Sequence, residues 1–409
     1  MTLPMEGVRV LEVAQFTFVP AAGALLADWG ADVIKVEHAE RGDAQRGLVK
    51  VLGLDAVSKD SSFAPIMEGP NRGKRSIGLA LGTPEATEVL HELIRRSDVF
   101  LTNFLPAARR KMGIDVDAVR AVNPKIVYTL GSGFAYQGPE ADKGGYDQTA
   151  FWARGGSGDG VTAPDADAFP AMPAGAYGDN IGGMTIAAGV AAALFTRERT
   201  GQAPVVDVSL LGVGAWTTQF AVNLALMAGG PLPKVPPSNV GAPTNPLIGA
   251  YRTSDGRWLM MSMLQPGRYW PEFCVAAGRP DLATDERFDS AEKLMANAPA
   301  AGALVREIVA SKTKDEWTTI LDGVGQWSVV QDAWEVGHDP SLRAVGQIAT
   351  VVDAEGVERE LVASPVQFDR RQPRLTRAPL FAEHTDEIVT DLGYNEEQLL
   401  ALKVAGAIT

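Results

Sequence analysis

The sequence predicts an α/β fold in which helices cover a parallel sheet, followed by a second, smaller domain. Three observations lead to this prediction. The first 135 residues alternate between short β-rich runs and helical patterns, which is typical of parallel strands joined by helical crossovers. A Gly/Pro-rich stretch interrupts the chain at 227–246 and indicates a linker. The length of 409 residues also exceeds what one domain usually holds.

The elements of the first half follow from these patterns in order. The β-rich runs predict strands at 7–13, 31–37, 74–81, 98–104 and 125–133. Helices are predicted at 19–30, where Gly30 suits a C-cap, at 85–97 after the start signal Thr83-Pro84, and near Asp115–Val122. The alternation predicts that these strands form one parallel sheet.

In the second half a long apolar helix is predicted from Asp179 to about Arg199, and a strand at 204–211. After the linker, residues 247–264 predict a hairpin that turns at Asp255-Gly256, and helices follow to about 322. We therefore predict a large domain at 1–225, a linker at 226–246 and a small domain at 247–322.

Composition excludes several classes of protein. The net charge of −13, from 37 basic and 50 acidic residues, argues against general nucleic-acid binding. Cys274 is the only cysteine, so an intramolecular disulfide is impossible and a reducing compartment is expected. No apolar run reaches the roughly 20 residues of a membrane helix, and the N-terminus does not resemble a signal peptide. We expect a soluble, cytoplasmic protein.

The first strand–helix–strand unit does not carry a dinucleotide fingerprint. Glu37 ends the second strand, where NAD-binding units place an acidic residue. However, the first turn reads AQFTFVPAAG, without G-x-G-x-x-G and with bulky Phe16 and Phe18. The four histidines show no metal-ligand spacing. A nicotinamide cofactor is therefore disfavoured, and no metal is expected.

Asp179, in the stretch AYGDNIGGM, allows two interpretations. A carboxylate at the start of a helix is either an ordinary N-cap or a reactive group. Basic residues lie at several strand ends and are individually typical of solvated charges: Lys74-Arg75, Arg109, Arg110, Lys111 and Lys143. Together they could line a phosphate-rich ligand.

An ordered series of motifs over nearly the whole length resembles the class III CoA-transferases, the group that contains formyl-CoA transferase and, as a branch, α-methylacyl-CoA racemase. The motifs lie at 7–46, 71–81, 98–114, 123–156, 178–211, 339–347 and 378–393. The resemblance implies a Rossmann-like large domain with a parallel sheet, a smaller α+β domain, and a C-terminal segment, 323–409, that returns to the large domain. It also implies an interlocked homodimer.

The resemblance assigns the catalytic carboxylate to Asp179. It implies that Asp179 attacks an acyl-CoA to form a mixed anhydride, that CoA then forms an aspartyl-CoA thioester, and that CoA finally passes to a free carboxylic acid. The resemblance implies no prosthetic group. We expect the helix N-terminus to hold this carboxylate ionised. Positions that match the family's CoA contacts are Thr17, Phe18, His38, Asn71, Lys74, Arg75, Asn103, Phe104, Lys111, Lys143, Tyr146 and Asp147. Core packing is an equal alternative for Phe104, and turn chemistry for Asn71 and Asn103.

Two departures bear on the reaction. The racemase branch has a histidine base in a GHD motif, whereas this chain reads Gly145-Tyr146-Asp147, and a tyrosine phenol of pKa about 10 is a poor general base. The glycine-rich loop of formyl-CoA transferase corresponds to 238–246, with one glycine, Gly241. Transfer of CoA is favoured, with racemisation or non-catalytic acyl-CoA binding as alternatives.

The small domain also bears on the substrate, since its block 259–282 resembles members that act on larger 2-hydroxy or aryl acids. Apolar residues that could wall an acyl pocket there, or form the small-domain core, are Trp258, Met261, Met263, Tyr269 and Trp270.

Overall fold

A computed structural model describes residues 2–51, 53–56, 61–234 and 244–409. The predicted linker therefore lies partly outside the described residues, as does Gly241 of the predicted loop. In chain order the strands are β1 Arg9–Val13, β2 Asp32–His38, β3 Lys50–Val51, β4 Leu54–Asp55, β5 Arg75–Leu79, β6 Val99–Thr102, β7 Val127–Ser132, β8 Val205–Ser209, β9 Ile248–Arg252, β10 Trp258–Ser262, β11 Trp327–Val329, β12 Ile348–Val352 and β13 Glu358–Val362.

The helices connect these strands and cover the sheets. In chain order they are α1 Phe18–Asp28, α2 Pro65–Asn71, α3 Pro84–Arg95, α4 Pro106–Met112, α5 Val116–Val122, α6 Ser157–Gly160, α7 Tyr177–Thr200, α8 Leu210–Thr217, α9 Gln219–Ala228, α10 Pro266–Ala276, α11 Pro280–Ala283, α12 Ala291–Ala296, α13 Ala298–Val309, α14 Lys314–Ile320, α15 Ala333–Gly337, α16 Pro340–Ala344, α17 Thr385–Asp391 and α18 Glu396–Val404. A 3₁₀ helix spans Ala44–Gly47 and a π-helix spans Asp147–Arg154.

The main sheet has the strand order β5-β2-β1-β6-β7-β8, and all of its neighbouring strands are parallel. The predicted parallel α/β sheet is confirmed. The chain builds outward from β1 to β5 and then returns to build from β6 to β8, which is the strand order of the doubly wound Rossmann fold. The direction of winding reverses between β1 and β6, so a ligand crevice is expected where these two strands end.

Helices cover both faces of this sheet. On one face α1, α7 and α8 contribute to an apolar cluster with Val10 and Val99. On the other face α3, α5, α17 and α18 pack against Leu11 and Phe100. Successive residues of β1 and β6 therefore point to opposite, equally buried faces, which explains why these strands are almost continuously apolar.

The described chain forms two compact units. The larger contains 1–161, 169–230 and 339–409, and the smaller contains 162–168 and 231–338. Residues 323–338, which the sequence places in the returning segment, contribute β11 to the antiparallel sheet β11-β10-β9 of the smaller unit. The domain boundaries drawn from the sequence remain predictions.

The smaller unit has its own core. Trp270 and Trp317 are fully buried in it, together with Met261 and Met263. The hairpin β9–β10 turns through Gly256 at a φ of 79°, as the sequence predicts. Within the described residues no single helix has both the length and the apolar composition that crossing a bilayer requires, although the bent pair α8–α9 passes when the two helices are taken together.

Candidate active site

A cavity of about 320 Å³ opens at the carboxyl ends of β1, β6 and β7. This is the position that the strand order predicts for a ligand. Residues from the strand ends and the following loops line it, with Asp179 from α7; they are Gln15, Phe16, Phe18, Asn103, Phe104, Leu105, Pro106, Arg109, Leu130, Gly131, Ser132, Gly133, Ala135, Tyr136, Ala141, Lys143, Gly144, Gly145, Tyr146, Asp179 and Leu210. Asp179 is the one acidic side chain among them.

Asp179 is the third residue of α7, not its cap. The N-cap is Ala176, in the left-handed region at a φ of 58°, and no side chain caps this end. The capping interpretation of Asp179 is therefore wrong. Small residues bring the helix start close to its neighbours: a Cβ on Gly178 would lie 2.5 Å from Phe151, and one on Gly182 would lie 2.3 Å from Phe18.

The pKa of Asp179 is raised to about 7. Burial is the larger cause, because it removes water from the charged form, and the negative charge of Asp147 adds to the rise. The helix N-terminus does not lower this pKa below its ordinary value, contrary to the expectation from the sequence. At neutral pH the group is present in both protonation states.

Asp147 begins the π-helix and does not line the cavity, but its charge acts on Asp179. Its Oδ1 accepts a hydrogen bond from the Gln148 N–H at 2.7 Å, and its buried Oδ2 has no hydrogen-bond partner among the described residues. Burial raises its pKa, while the backbone N–H groups of Gln148 and Gly178 act against the rise. The chain thus places a second carboxyl group next to Asp179 without neutralising it.

The turn from β1 to α1 forms another wall of the cavity. Asn103 binds both backbone polar groups of Gln15: Asn103 Oδ1 accepts from the Gln15 N–H at 3.0 Å, and Asn103 Nδ2 donates to the Gln15 carbonyl at 2.7 Å. Phe16 follows with a φ of 64°. Its ring meets the Tyr146 ring edge-on, with centroids 5.5 Å apart. The turn is thus fastened to the end of β6.

A second cavity of about 490 Å³ lies at the same edge of the sheet, beyond β1 and β2. His38, Arg41 and Lys111 line it, together with the acidic residues Glu37 and Asp43. Gln15 and Phe104 line both cavities. The two cavities are therefore neighbours along the carboxyl ends of the strands, and an extended ligand could occupy both.

The predicted CoA contacts divide into two groups. The structure brings most of them to the two cavities: Phe18, His38, Asn103, Phe104, Lys111, Lys143 and Tyr146. Thr17, which lies between Phe16 and Phe18, and Asp147, whose charge acts on Asp179, line neither cavity. The remaining three predicted contacts, Asn71, Lys74 and Arg75, line neither cavity.

Lys74 and Arg75 are engaged elsewhere. The Lys74 ammonium is fully buried and donates to Glu12 at 2.6 Å and to Asn71 Oδ1 at 3.2 Å. Arg75 begins β5 at the amino end of the sheet, opposite the cavities, where it pairs with Asp32 at 2.7 Å. In this arrangement neither side chain faces a ligand at the carboxyl edge.

Sequence reasoning missed Gln15 and Tyr136 of the first cavity, whereas Arg109 is among the basic residues that the sequence suggested for a phosphate-rich ligand. Gln15 directly precedes the Phe16–Phe18 turn, so its position at the end of β1 could have identified it. Arg109 lies one helical turn into α4, and its Nε is buried without a hydrogen-bond partner in the described part of the chain. No group of three or more His, Cys, Asp or Glu side chains suited to a metal ion occurs among the described residues.

Comparisons with known proteins agree along the whole chain. A family model described as CoA-transferase family III matches residues 5–385. The (R)-2-hydroxy-4-methylpentanoate CoA-transferase of Clostridioides difficile is 30% identical, over 97% of this chain and 97% of its own. Cinnamoyl-CoA:phenyllactate CoA-transferase of Clostridium sporogenes is 32% identical, over 97% of this chain and 95% of its own. The crystal structure of a CAIB/BAIF family protein from Brucella suis matches with a TM-score of 0.79 at 27% identity, over 96% of this chain and all of that one.

Proposed function

The chain belongs to CoA-transferase family III, and from that premise we propose that it moves CoA from an acyl-CoA to a free carboxylic acid through covalent attachment at Asp179. One observation carries the role of Asp179: it is the one acidic side chain among the described residues that line the cavity where the winding of the sheet reverses. The glycines at the start of α7 let this helix pack closely against Phe151 and Phe18, and Asp179 in its first turn lines the cavity.

The proposed chemistry exchanges one activated acyl bond for another. An ionised Asp179 oxygen attacks the thioester carbonyl, the C–S bond breaks, and CoA leaves as a thiolate with a mixed anhydride on Asp179. The thiolate attacks the Asp179 acyl carbon and expels the donor acid, which gives an aspartyl-CoA thioester. The acceptor carboxylate then attacks, and CoA passes to it by the same two steps in reverse. Electrons and protons balance without a redox partner.

The pKa of Asp179 suits this role. A carboxylate whose pKa is about 7 is a stronger base than an ordinary aspartate, and part of it is ionised at neutral pH. Burial, which raises the pKa, also leaves the nucleophile less hydrated and keeps water from hydrolysing an anhydride.

We propose that CoA extends across both cavities. The basic residues His38 and Lys111 of the second cavity suit the phosphate-bearing nucleotide end. The boundary formed by Gln15 and Phe104 suits the pantetheine arm, which would bring the thioester to Asp179. In this proposal Lys74 and Arg75 do not contact CoA, and they support the site only through packing within the fold.

We further propose that the acyl group is apolar and larger than formyl. Five aromatic residues line the cavity that contains Asp179: Phe16, Phe18, Phe104, Tyr136 and Tyr146. The two relatives described above are named for a branched 2-hydroxy acid and for aryl acids. The small-domain residues suggested from the sequence contribute less support, since Met261, Met263, Tyr269 and Trp270 belong to the core of their own unit.

A homodimer is part of the proposal. Helix α9 has no buried residue, and Phe220, Leu226 and Met227 on it are 74–80% exposed, as is Trp216 nearby at 72%. An apolar surface of this kind is typical of an interface, and a second copy of the chain is the partner that the family resemblance implies. Sedimentation of the natural protein and of a Phe220→Glu/Leu226→Glu variant tests this.

We also place the enzyme in the cytoplasm, where a reducing environment suits its single buried thiol.

Intact-mass spectrometry tests the covalent step. The protein is incubated with branched 2-hydroxyacyl-, aryl- and short-chain acyl-CoAs, with hydroxylamine or borohydride to trap an acylated carboxyl group. An adduct of the natural protein that is absent from Asp179→Ala supports the mechanism. The matched control is Asp142→Ala, which removes an exposed carboxylate near the cavity rim and should keep the adduct. CoA binding without an adduct from any donor would contradict the role of Asp179.

Deuterium exchange separates transfer from racemisation. Tyr146 stands where the racemase branch has its histidine base, and its side chain is 61% exposed at the cavity. We expect no exchange of the α-proton of a bound acyl-CoA in heavy water, and transfer within a few-fold of normal in Tyr146→Phe. Rapid α-proton exchange by the natural protein would favour a racemase instead.

A further inference from the structure

Phe16 has an unusual backbone at the wall of the active-site cavity. Its φ of 64° lies in the left-handed region, which a bulky side chain adopts only when its surroundings enforce it. The next two residues, Thr17 and Phe18, begin α1, and Phe18 packs where α7 carries Gly182. The conformation at Phe16 therefore sets the distance between the β1–α1 turn and the helix start that carries Asp179.

The loop after β2 holds this turn with two hydrogen bonds. Asp43 Oδ1 accepts from the Phe16 N–H at 3.1 Å. Thr17 Oγ1 donates to Gln45 Oε1 at 3.2 Å. Asp43 also caps the 3₁₀ helix by accepting from the Gln45 N–H at 2.9 Å. Both contacts come from residues 43–45, which we call the clamp segment.

A buried ionic cluster fixes the Asp43 carboxylate in turn. Lys35 Nζ lies 2.8 Å from Asp43 Oδ2 and 3.2 Å from Glu12, and all three side chains are fully buried. Burial lowers the pKa of Lys35, but the charges of Asp43 and Glu12 outweigh burial and raise it, so this ammonium remains charged. Glu12 also pairs with Lys74. Gly23 of α1 provides the space, because a Cβ there would lie 2.1 Å from Glu12.

The clamp segment is also tied to the far end of the chain. Glu37 Oε2 accepts from the Asp43 N–H at 2.8 Å, and the guanidinium of Arg46 binds both oxygens of Glu37. Arg46 donates further to the Pro379 carbonyl at 3.1 Å. The clamp segment is thus immobilised by groups that line no part of the first cavity.

We propose that Asp43 is a positioning residue for acyl transfer, which holds Phe16 in its left-handed conformation through the Phe16 N–H and so fixes the cavity wall that faces Asp179. This inference rests on the proposed function. It assigns to the ionic cluster of Lys35, Glu12 and Lys74 the task of keeping the Asp43 carboxylate in one orientation.

A double-mutant cycle tests the proposal. Asp43→Ala is made in the natural protein and in Phe16→Gly, since glycine adopts positive φ without the steric conflict of a side chain. We expect Asp43→Ala to lower kcat/KM for acyl-CoA by roughly 10–100-fold, mostly through KM. In the Phe16→Gly background the loss should shrink at least about threefold. Equal losses in both backgrounds would overturn the proposal.

Two further variants keep the test decisive if Asp43→Ala does not fold. Asp43→Asn retains an oxygen acceptor for the Phe16 N–H but loses the ion pair with Lys35, so it should recover part of the activity that Asp43→Ala loses. Gln45→Met removes the acceptor for Thr17, together with the hydrogen bond that Gln45 Nε2 donates to the Ile66 carbonyl, without touching the ionic cluster, and should raise KM by roughly 3–10-fold. A Gln45→Met enzyme with normal KM, or an Asp43→Asn enzyme as impaired as Asp43→Ala, would contradict the clamp.

Adduct formation distinguishes the two proposals. If the clamp inference fails but Asp179 is the nucleophile, every Asp43 variant that folds still gives the trapped Asp179 adduct at the natural rate. If the proposed function fails, the natural protein itself gives no adduct.

Discussion

The negative charge of Asp147 raises the pKa of Asp179, adding to the effect of burial. The two residues come from different elements: Asp147 begins the π-helix and Asp179 lies in the first turn of α7. The N–H of Gly178, next to Asp179, acts on Asp147 as well. The ionisation of the proposed nucleophile therefore depends on a carboxylate 32 residues away in the sequence.

Asp147→Asn should move the acid limb of the pH–rate profile to lower pH. Removing the neighbouring negative charge favours the ionised form of Asp179, so its pKa falls, by roughly 0.5–1 unit for one partly screened charge. The rate of Asp179 adduct formation between pH 5 and 9 measures the shift. Asp142→Asn removes an exposed carboxylate that does not act on Asp179 and should leave the profile unchanged. A shift to higher pH in Asp147→Asn would refute this coupling.

Asp179→Asn should stabilise the protein above neutral pH and change little near pH 4. The folded-state pKa of about 7 lies above the ordinary value of 3.8, so the folded state binds the proton more tightly than the unfolded state. Stability is therefore lost as pH rises from about 4 through 7. We expect a gain of roughly 1–3 kcal/mol in Asp179→Asn at pH 8, measured by urea unfolding. A gain of equal size at pH 4 would show that titration is not its cause.

Lys111→Ala and Arg75→Ala should separate ligand binding from packing. Lys111 lines the second cavity, so its loss should raise the Kd of CoA by roughly 3–10-fold, as expected for one phosphate contact. Arg75 pairs with Asp32, Glu387 and Asp391 at the other end of the sheet. Its loss should leave the Kd unchanged and lower stability by roughly 0–1 kcal/mol. Calorimetric titration with CoA and thermal unfolding measure both. A raised Kd of CoA in Arg75→Ala, with an unchanged Kd in Lys111→Ala, would indicate that Arg75 rather than Lys111 binds CoA.

Gly183→Ala should destabilise the contact between α1 and α7. A Cβ at Gly183 would lie 2.6 Å from the Ala21 Cβ and 3.2 Å from the Ala22 backbone nitrogen, so the helices must separate. We expect a loss of roughly 1–3 kcal/mol. The matched control is Gly69→Ala in α2, where the added methyl meets no atom within 4 Å and should stabilise by roughly 0.5–1 kcal/mol. Equal effects of the two substitutions in urea unfolding would contradict the close packing.

Much of the fold could be predicted from local patterns. The alternation of β-rich and helical runs identified every strand of the main sheet, because these strands are rich in β-branched and apolar residues and the turn signals between them are strong. The left-handed backbone at Phe16 could not be predicted, since phenylalanine gives no signal for it. It depends on Asp43 and on the cluster beneath Asp43.

The site was predicted less completely, because several of its properties are long-range. Lys74 and Arg75 are adjacent in the sequence, but they have different partners. Lys74 pairs with Glu12 in a buried cluster, whereas Arg75 begins β5 at the amino end of the sheet and pairs with Asp32. The sequence shows that a charged residue lies near a strand, but it does not show whether an oppositely charged partner is buried in the core. The pKa of Asp179 was likewise misjudged from its helix position, because burial and Asp147 decide it.

The discontinuous large unit also has a consequence for biosynthesis. One face of its sheet is completed by Ile388, Val389 and Leu402, which a ribosome makes only after the whole of 231–338. At about 5–20 residues per second, the apolar surface of β2 and β5 stays uncovered on the order of 10–40 s after β8 has emerged. The smaller unit can fold during that interval, while the nascent sheet remains a substrate for chaperones.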